Sequence, residues 1–415
     1  GAATGPGEEE RSVEHADGTT TAWKKNDAGR ETTQGDGTVT ITELAADDRF
    51  GALTPYAART TSTLPSGLTR TVEHTRSVTE SLVNPLALSS VEETSTEEGD
   101  TFTRSYDGVS RTWTMKSPEE RTASTSVDAR GRPIETETPE VLPVSVAYDA
   151  RGRIASVKQG DRSLTYTYDA TSGHLTTITD ATSRKTLYQR DAAARPTTIT
   201  APDAAKITLA FDAHDNVTSV TPPGKGAHAF VYTPDDHESA YTPPKSPATT
   251  TTFDADRRPL VTTRPDSTSW TRTYDTAGRL ASFTYPGATL IPTYDAKGHL
   301  AAIAGPGAES LQAVYDGPLV TSLSMTGVAT GTVAWTYDTR FRANREEVNG
   351  AHGVDVFFDR DGLPTDIGDL ALKREATTGR VSEAIVSYDV TTSFAYTPFG
   401  EIASAVTKAG ETTVL

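Results

Sequence analysis

Leu164-Thr165-Tyr166-Thr167-Tyr168-Asp169-Ala170-Thr171-Ser172-Gly173-His174-Leu175 is the stretch whose reading decides the fold. Leu164, Tyr166 and Tyr168 alternate with Thr165 and Thr167, the period of a strand with one apolar face. Asp169 ends that strand, because a carboxylate at the first turn position accepts backbone N–H groups, and Gly173 supplies an exit at positive φ. A second strand starts on Leu175. The three-residue step Leu175-x-x-Ile178 breaks strict alternation and predicts a bulge or sharp twist there.

The same unit returns along the chain. Tyr148-Asp149…Gly152-Arg153-Ile154, Tyr274-Asp275…Gly278-Arg279-Leu280 and Tyr294-Asp295…Gly298-His299-Leu300 are close copies. Val127-Asp128…Gly131-Arg132, Phe211-Asp212…Asn216-Val217, Phe253-Asp254…Arg258-Pro259 and Phe358-Asp359…Gly362-Leu363 are looser ones. Tyr106-Asp107, Asp191, Tyr315-Asp316 and Tyr337-Asp338 complete a register in which successive aspartates lie 20 to 22 residues apart, with one gap of 42. That gap is two units, and Tyr232-Thr233 marks the degenerate one between them. A second turn closes each unit, often on proline, as at Pro202-Asp203, Pro223-Gly224, Pro265-Asp266, Pro286-Gly287 and Pro306-Gly307.

Each unit is therefore two strands and two turns, and thirteen units make about 26 strands. Open twisted sheets rarely exceed roughly 10 strands without curling or splitting, so this one must wind. A propeller would need alternate units to differ, yet the neighbouring Asp149 and Asp169 units are near-copies. The expected fold is all-β: a long meander of hairpins, about 21 residues each, winding as a spiral sheet shell or part of one.

Residues 1–10 read as a disordered start, 11–105 as a looser hairpin region, 106–365 as regular repeats and 366–415 as degenerate repeats. In the looser region, Asn26-Asp27-Ala28-Gly29-Arg30, Asp36-Gly37, Pro65-Ser66-Gly67 and Asn84-Pro85 mark hairpins. The acidic run 92–100 reads as a loop. Tyr396-Thr397-Pro398-Phe399-Gly400 is a late variant copy of the turn.

Composition limits the function. The net charge of -17 argues against nucleic acid, whose phosphates need clustered Lys and Arg. No apolar run of 18 residues crosses a membrane. Zero cysteines exclude disulfides and thiolate chemistry. The start Gly-Ala-Ala-Thr carries no signal peptide.

These units resemble the YD repeat of the RHS family, which includes bacterial polymorphic toxins, the shell subunits of insecticidal toxin complexes and the animal teneurins. The resemblance runs from about Thr101 to Leu415 and is clearest over 145–305. It implies a hollow shell, in bacteria commonly holding a C-terminal toxic domain of the same polypeptide, and a secreted or cell-surface location. Family chains usually finish in a core segment rich in Asp-Pro and Gly, which in many members cuts the toxin free. No such segment precedes Thr413-Val414-Leu415, so self-cleavage is carried to no residue here.

Candidate chemistry is sparse. Twelve aspartates at one structural position mark turn-making, because a catalyst needs one or two in a pocket. Asp359-x-Asp361-Gly362 with Asp366 is the best cation candidate, but it lacks the distal Glu of a calcium loop. His174 and His299 replace the turn Arg, which favours capping over metal ligation. Trp270 and Trp335 fall in strand register and read as wall packing. The expectation is a scaffold without enzymatic activity or cofactor, whose partner is a C-terminal cargo or the remaining shell repeats. The alternative is an extracellular adhesion or glycan-binding module.

Overall fold

The computed structural model describes residues 8–80, 88–387, 389–410 and 412–413. Among them there are 38 strands in one sheet and no helix. Registers run antiparallel between sequence neighbours, from Glu9–Glu14 on Thr20–Asn26 to Ile402–Ala409 on Thr412–Thr413. The chain is a meander, and no blades interrupt it among the described residues.

Two units are compact. One comprises Val144–Pro292 with Ala304–Pro306; the other comprises Gly1–Pro143, Thr293–Ile303 and Gly307–Leu415. Neither has an ordinary core: among the described residues only Leu64 and Val91 are buried hydrophobics. Most inward-facing side chains are half-buried, the pattern of a single sheet layer.

In the Val144–Pro292 unit, Arg162–Tyr168 pairs with Leu175–Asp180 so that Tyr166 faces Ile178 and Tyr168 faces Leu175, with a register shift between Thr167 and Tyr168. The shift leaves Thr176 without a partner, as the three-residue step predicts. The same bulge falls at Ala155, Thr197, Thr218, Ser239, Leu260 and Ala281. At the extra residue a hydroxyl can replace the lost ladder bond. Thr176 Oγ1 donates to Thr167 O at 3.0 Å and Ser239 Oγ to Val231 O at 3.1 Å.

In the other unit the bulge recurs, for example at Thr321 and Ala403. Its early strands are longer, with Gly51–Thr63 spanning 13 residues and Thr69–Glu80 spanning 12. Glu9 and Glu10, placed by sequence in a disordered start, lie in the strand Glu9–Glu14. Asn84-Pro85 lies outside the described residues.

The acidic run 92–100 is not a loop. Residues up to Glu97 belong to the strand Leu88–Glu97, and the next strand begins at Asp100. Cross-strand guanidinium groups neutralise the charges: Arg70 reaches Glu97 at 2.6 Å, and Arg76 and Arg104 each reach Glu93 at 3.5 Å. The Asn26 turn also departs from the repeat. Gly29 is needed for close approach and not for positive φ, since a Cβ there would lie 2.0 Å from Thr42 O.

Candidate functional site: the repeat clasp and the seam

Most repeat turns are clasps built on their aspartate. Asp149 N donates to Arg153 O at 2.8 Å and Gly152 N to Asp149 O at 2.9 Å. Asp149 Oδ1 accepts from the backbone N–H groups of Arg151 and Arg153, and Oδ2 accepts from Arg153 Nε at 2.8 Å. Arg–Asp clasps repeat at Asp128, Asp191, Asp254, Asp275 and Asp338. Asp212 and Asp295 hold Asn216 and His299 in the same place. Asp180 makes the clasp with Arg184 on a second turn, where no Tyr-Asp pair announces it.

Charge-assisted bonds to the ionised form depress these carboxyls. Asp128 is lowered to about 2, first by the side-chain bond from Arg132 and then by backbone N–H groups. Asp180 is lowered to about 2, first by the Thr182 hydroxyl and against some desolvation. The turn exit has positive φ at Gly131, Gly152, Gly173, Gly278, Gly298 and Gly362, and equally at Ala194, Asp215, Arg257 and Phe341, where no glycine stands.

The arginine also reaches into the next hairpin. Arg153 lies 4.1 Å over the ring of Tyr168, and its Nη1 donates to Gly173 O at 2.7 Å. Arg195 over Phe211, Arg258 over Tyr274 and Arg342 over Phe358 repeat the stack, and His299 replaces it against Tyr315 with centroids 4.5 Å apart. The tyrosine hydroxyl reaches back one hairpin: Tyr168 to Ile154 O at 2.7 Å, Tyr274 to Pro259 O at 3.0 Å, Tyr315 to Leu300 O at 3.0 Å. Turn, stack and hydroxyl bond form a ladder along the sheet. The link between one unit's arginine and the next unit's aromatic, Arg153 to Tyr168 or Arg258 to Tyr274, was not read from the sequence, although the repeat spacing carries it.

Four repeat aspartates do something else. Asp169 accepts from Thr171 N at 3.1 Å, Ser172 N at 2.7 Å and Ser172 Oγ at 2.9 Å, in a turn one residue longer that closes on His174. Asp107 caps a different turn, accepting from Val109 N at 2.7 Å and Ser110 N at 3.1 Å. Asp316 accepts from Ser66 N at 2.9 Å, across 250 residues, and not from its own turn. Asp359 accepts from Leu363 N at 2.8 Å and also binds Arg121 Nη1 at 2.9 Å.

Asp316 and Asp359 belong to a seam inside the unit that contains both chain ends, where early hairpin turns meet late ones. Asp361 accepts from Arg121 Nη1 at 2.5 Å, Ser117 Oγ at 2.7 Å and Glu119 N at 2.9 Å. Asp100 joins Arg340 and Arg360, Glu140 joins Thr377 and Arg380, and Leu142 N donates to Pro398 O at 2.7 Å. Arg340, Asp100, Arg121, Asp359 and Asp361 all have side chains less than one-fifth exposed. Burial pushes Asp100 up, but the bonds from Arg360 and Arg340 outweigh it and hold the carboxyl below its ordinary range.

The structure gives the three aspartates of the cation candidate other neighbours. A guanidinium occupies the place between Asp359 and Asp361, and Asp366 is paired in the ladder with Ala371 and Phe357. Among the described residues no three His, Cys, Asp or Glu side chains group for a metal. The two carboxylates converge on Arg121 because it arrives from a hairpin 238 residues away, which local spacing does not reveal. Trp113 packs against Tyr106 with centroids 4.9 Å apart and Trp270 against Phe283 at 6.0 Å, whereas Trp335 Nε1 donates to Glu346 at 3.0 Å.

The model of one family, described as Teneurin YD-shell, matches residues 6–415. Among solved structures the chain is similar to the crystal structure of TcdB2-TccC3, at 12% identity and a TM-score of 0.51 over 97% of this chain. It spans 28% of the length of that chain. The TcdB2-TccC3 structure without its hypervariable C-terminal region aligns at 10% identity and a TM-score of 0.43, over 94% of this chain and 30% of the other. A structure of the Photorhabdus luminescens Tc holotoxin pore aligns at 11% identity and 0.40, over 93% of this chain and 30% of the other. No curated protein matches the sequence. The chain belongs to the Teneurin YD-shell family, as a stretch of that family's β-shell scaffold.

Proposed function

We propose that this chain is a wall segment of a hollow shell, without enzymatic activity, that encloses or presents a C-terminal cargo of the same polypeptide, a toxin domain in a secreted or surface-borne bacterial protein. Residues 11–105 form the entry to the wall, 106–365 its regular course and 366–415 its degenerate end. The carrying observation is uniformity. The aspartate clasp, the bulge and the arginine–aromatic stack recur hairpin after hairpin, and a catalytic constellation would be singular. A half-buried single layer has two faces, and an enclosing wall needs both. The likeness in fold to the TcdB2-TccC3 structure is consistent with a wall segment.

A protease-sensitive reporter fused after Leu415 tests this. Enclosure leaves the reporter intact under proteinase K until the wall is denatured. Digestion at the rate of the free reporter would overturn enclosure and leave the adhesion reading standing.

A further inference from the structure

One face of the strands from Gly51–Thr63 to Pro133–Thr138 carries a half-enclosed pocket of about 630 Å³. It lies wholly inside the unit that contains both chain ends. Cross-strand registers place Arg76, Glu93, Arg104, Met115 and Ala123 in one row over five strands, four steps of about 4.8 Å each. Phe102 lies two residues from Arg104 and so shares its face. Phe102 and Met115 are 42% and 57% exposed, an aromatic–thioether floor with nothing covering it among the described residues.

The polar rim has an unusual balance. Arg76, Arg104, Lys116 and Arg121 line the pocket with a single carboxylate, Glu93, in a chain of net charge -17. Three of these cations are held by groups that do not line the pocket: Arg76 by Asp47 at 3.2 Å, Lys116 by Glu120, and Arg121 by Asp359 and Asp361. Arg104 is different. It rests 3.9 Å over the Trp113 ring, its one ion pair among the described residues is a 3.5 Å contact to Glu93, and half its side chain is exposed. A guanidinium has five donors and prefers a planar two-oxygen acceptor. Arg104 therefore offers a carboxylate its open edge, next to an apolar floor of Phe102, Met115 and Ala123. Mostly apolar concave sites of this volume, with a few convergent polar groups, suit small molecules.

We propose that this pocket binds an apolar carboxylate of the fatty-acid class, with its head on Arg104 and its chain over Met115, Ala123 and Phe102. Nothing in this proposal depends on enclosure of cargo. Titration of the intact chain with dodecanoate, dodecanol and dodecyltrimethylammonium, all below their micelle concentrations, tests it, with Trp113 fluorescence and calorimetry as readouts. Dodecanoate should bind saturably at one site, at least tenfold more tightly than dodecanol, and the cationic amphiphile should not bind there. Arg104→Leu should abolish the preference for dodecanoate over dodecanol, whereas Met115→Glu should weaken both. Each variant is compared only after its far-ultraviolet spectrum matches the parent. Absence of saturable dodecanoate binding overturns the proposal, as does equal binding of the cationic amphiphile. Selectivity is read on the unaltered chain, so a variant that fails to fold leaves that part of the test intact.

Discussion

Arg153 and Tyr168 belong to successive hairpins, and the guanidinium of one lies 4.1 Å over the ring of the other while its Nε holds Asp149 at 2.8 Å. One side chain therefore closes its own turn and grips the next. In a sheet layer with almost no buried core, such contacts supply cohesion that a globular domain takes from its interior.

Arg153→Lys keeps the charge but loses the planar fork and most of the stack. A loss of about 1 kcal/mol is expected. Arg130→Lys, at an exposed turn position, should change stability by less than about 0.5 kcal/mol. Urea denaturation of both variants checks this, and equal effects would contradict the clasp-and-stack reading.

Gly278 and Ala194 occupy the same turn position with φ of 82° and 69°. An L-residue there is strained, so Gly278→Ala should cost about 1 kcal/mol and Ala194→Gly should be neutral or stabilising. Gly99, at φ 86° in the Glu98-Gly99 turn, should resist Val as strongly as Gly278 does. Thermal melts of Gly278→Ala, Ala194→Gly, Gly99→Val and Gly278→Val decide.

Acid should weaken the clasps in a defined window. Asp128 and Asp180 fall from 3.8 to about 2 on folding. A carboxyl depressed in the folded state contributes stability that is fully present above the unfolded value and disappears as pH falls through the folded one. Asp128→Asn should therefore flatten the loss of stability between pH 4 and pH 2 and leave the slope near neutrality unchanged. Denaturant titrations at stepped pH measure both slopes.

Arg121→Met leaves Asp359 and Asp361 facing each other without their cation. Breaking a mostly buried ion pair from one side costs roughly 3 kcal/mol. The loss should be local: faster hydrogen exchange in the Ser117–Arg121 and Asp359–Leu363 turns, with protection in the 154–285 hairpins retained. Adding Asp359→Asn and Asp361→Asn should restore part of the protection. A uniform rise in exchange along the chain would show that the seam is not a separate element.

The sequence by itself determined the hairpin. Strand period, Asp at the turn, positive φ after it and the bulge at the three-residue step are all decided within some twenty residues, by sterics and hydrogen bonding between near neighbours. It did not determine which turns meet. Arg121 finds Asp359 and Asp361, Arg340 and Arg360 find Asp100, and Ser66 finds Asp316 across 238 to 260 residues. Repeats that look alike carry no mark of which other repeat lies beside them. The acidic run 92–100 reads as a loop for the same reason, since the arginines that neutralise it come from other strands and from distant turns. Only the accumulated pairing of many strands brings those charges together, and so tertiary structure alone decided that seam.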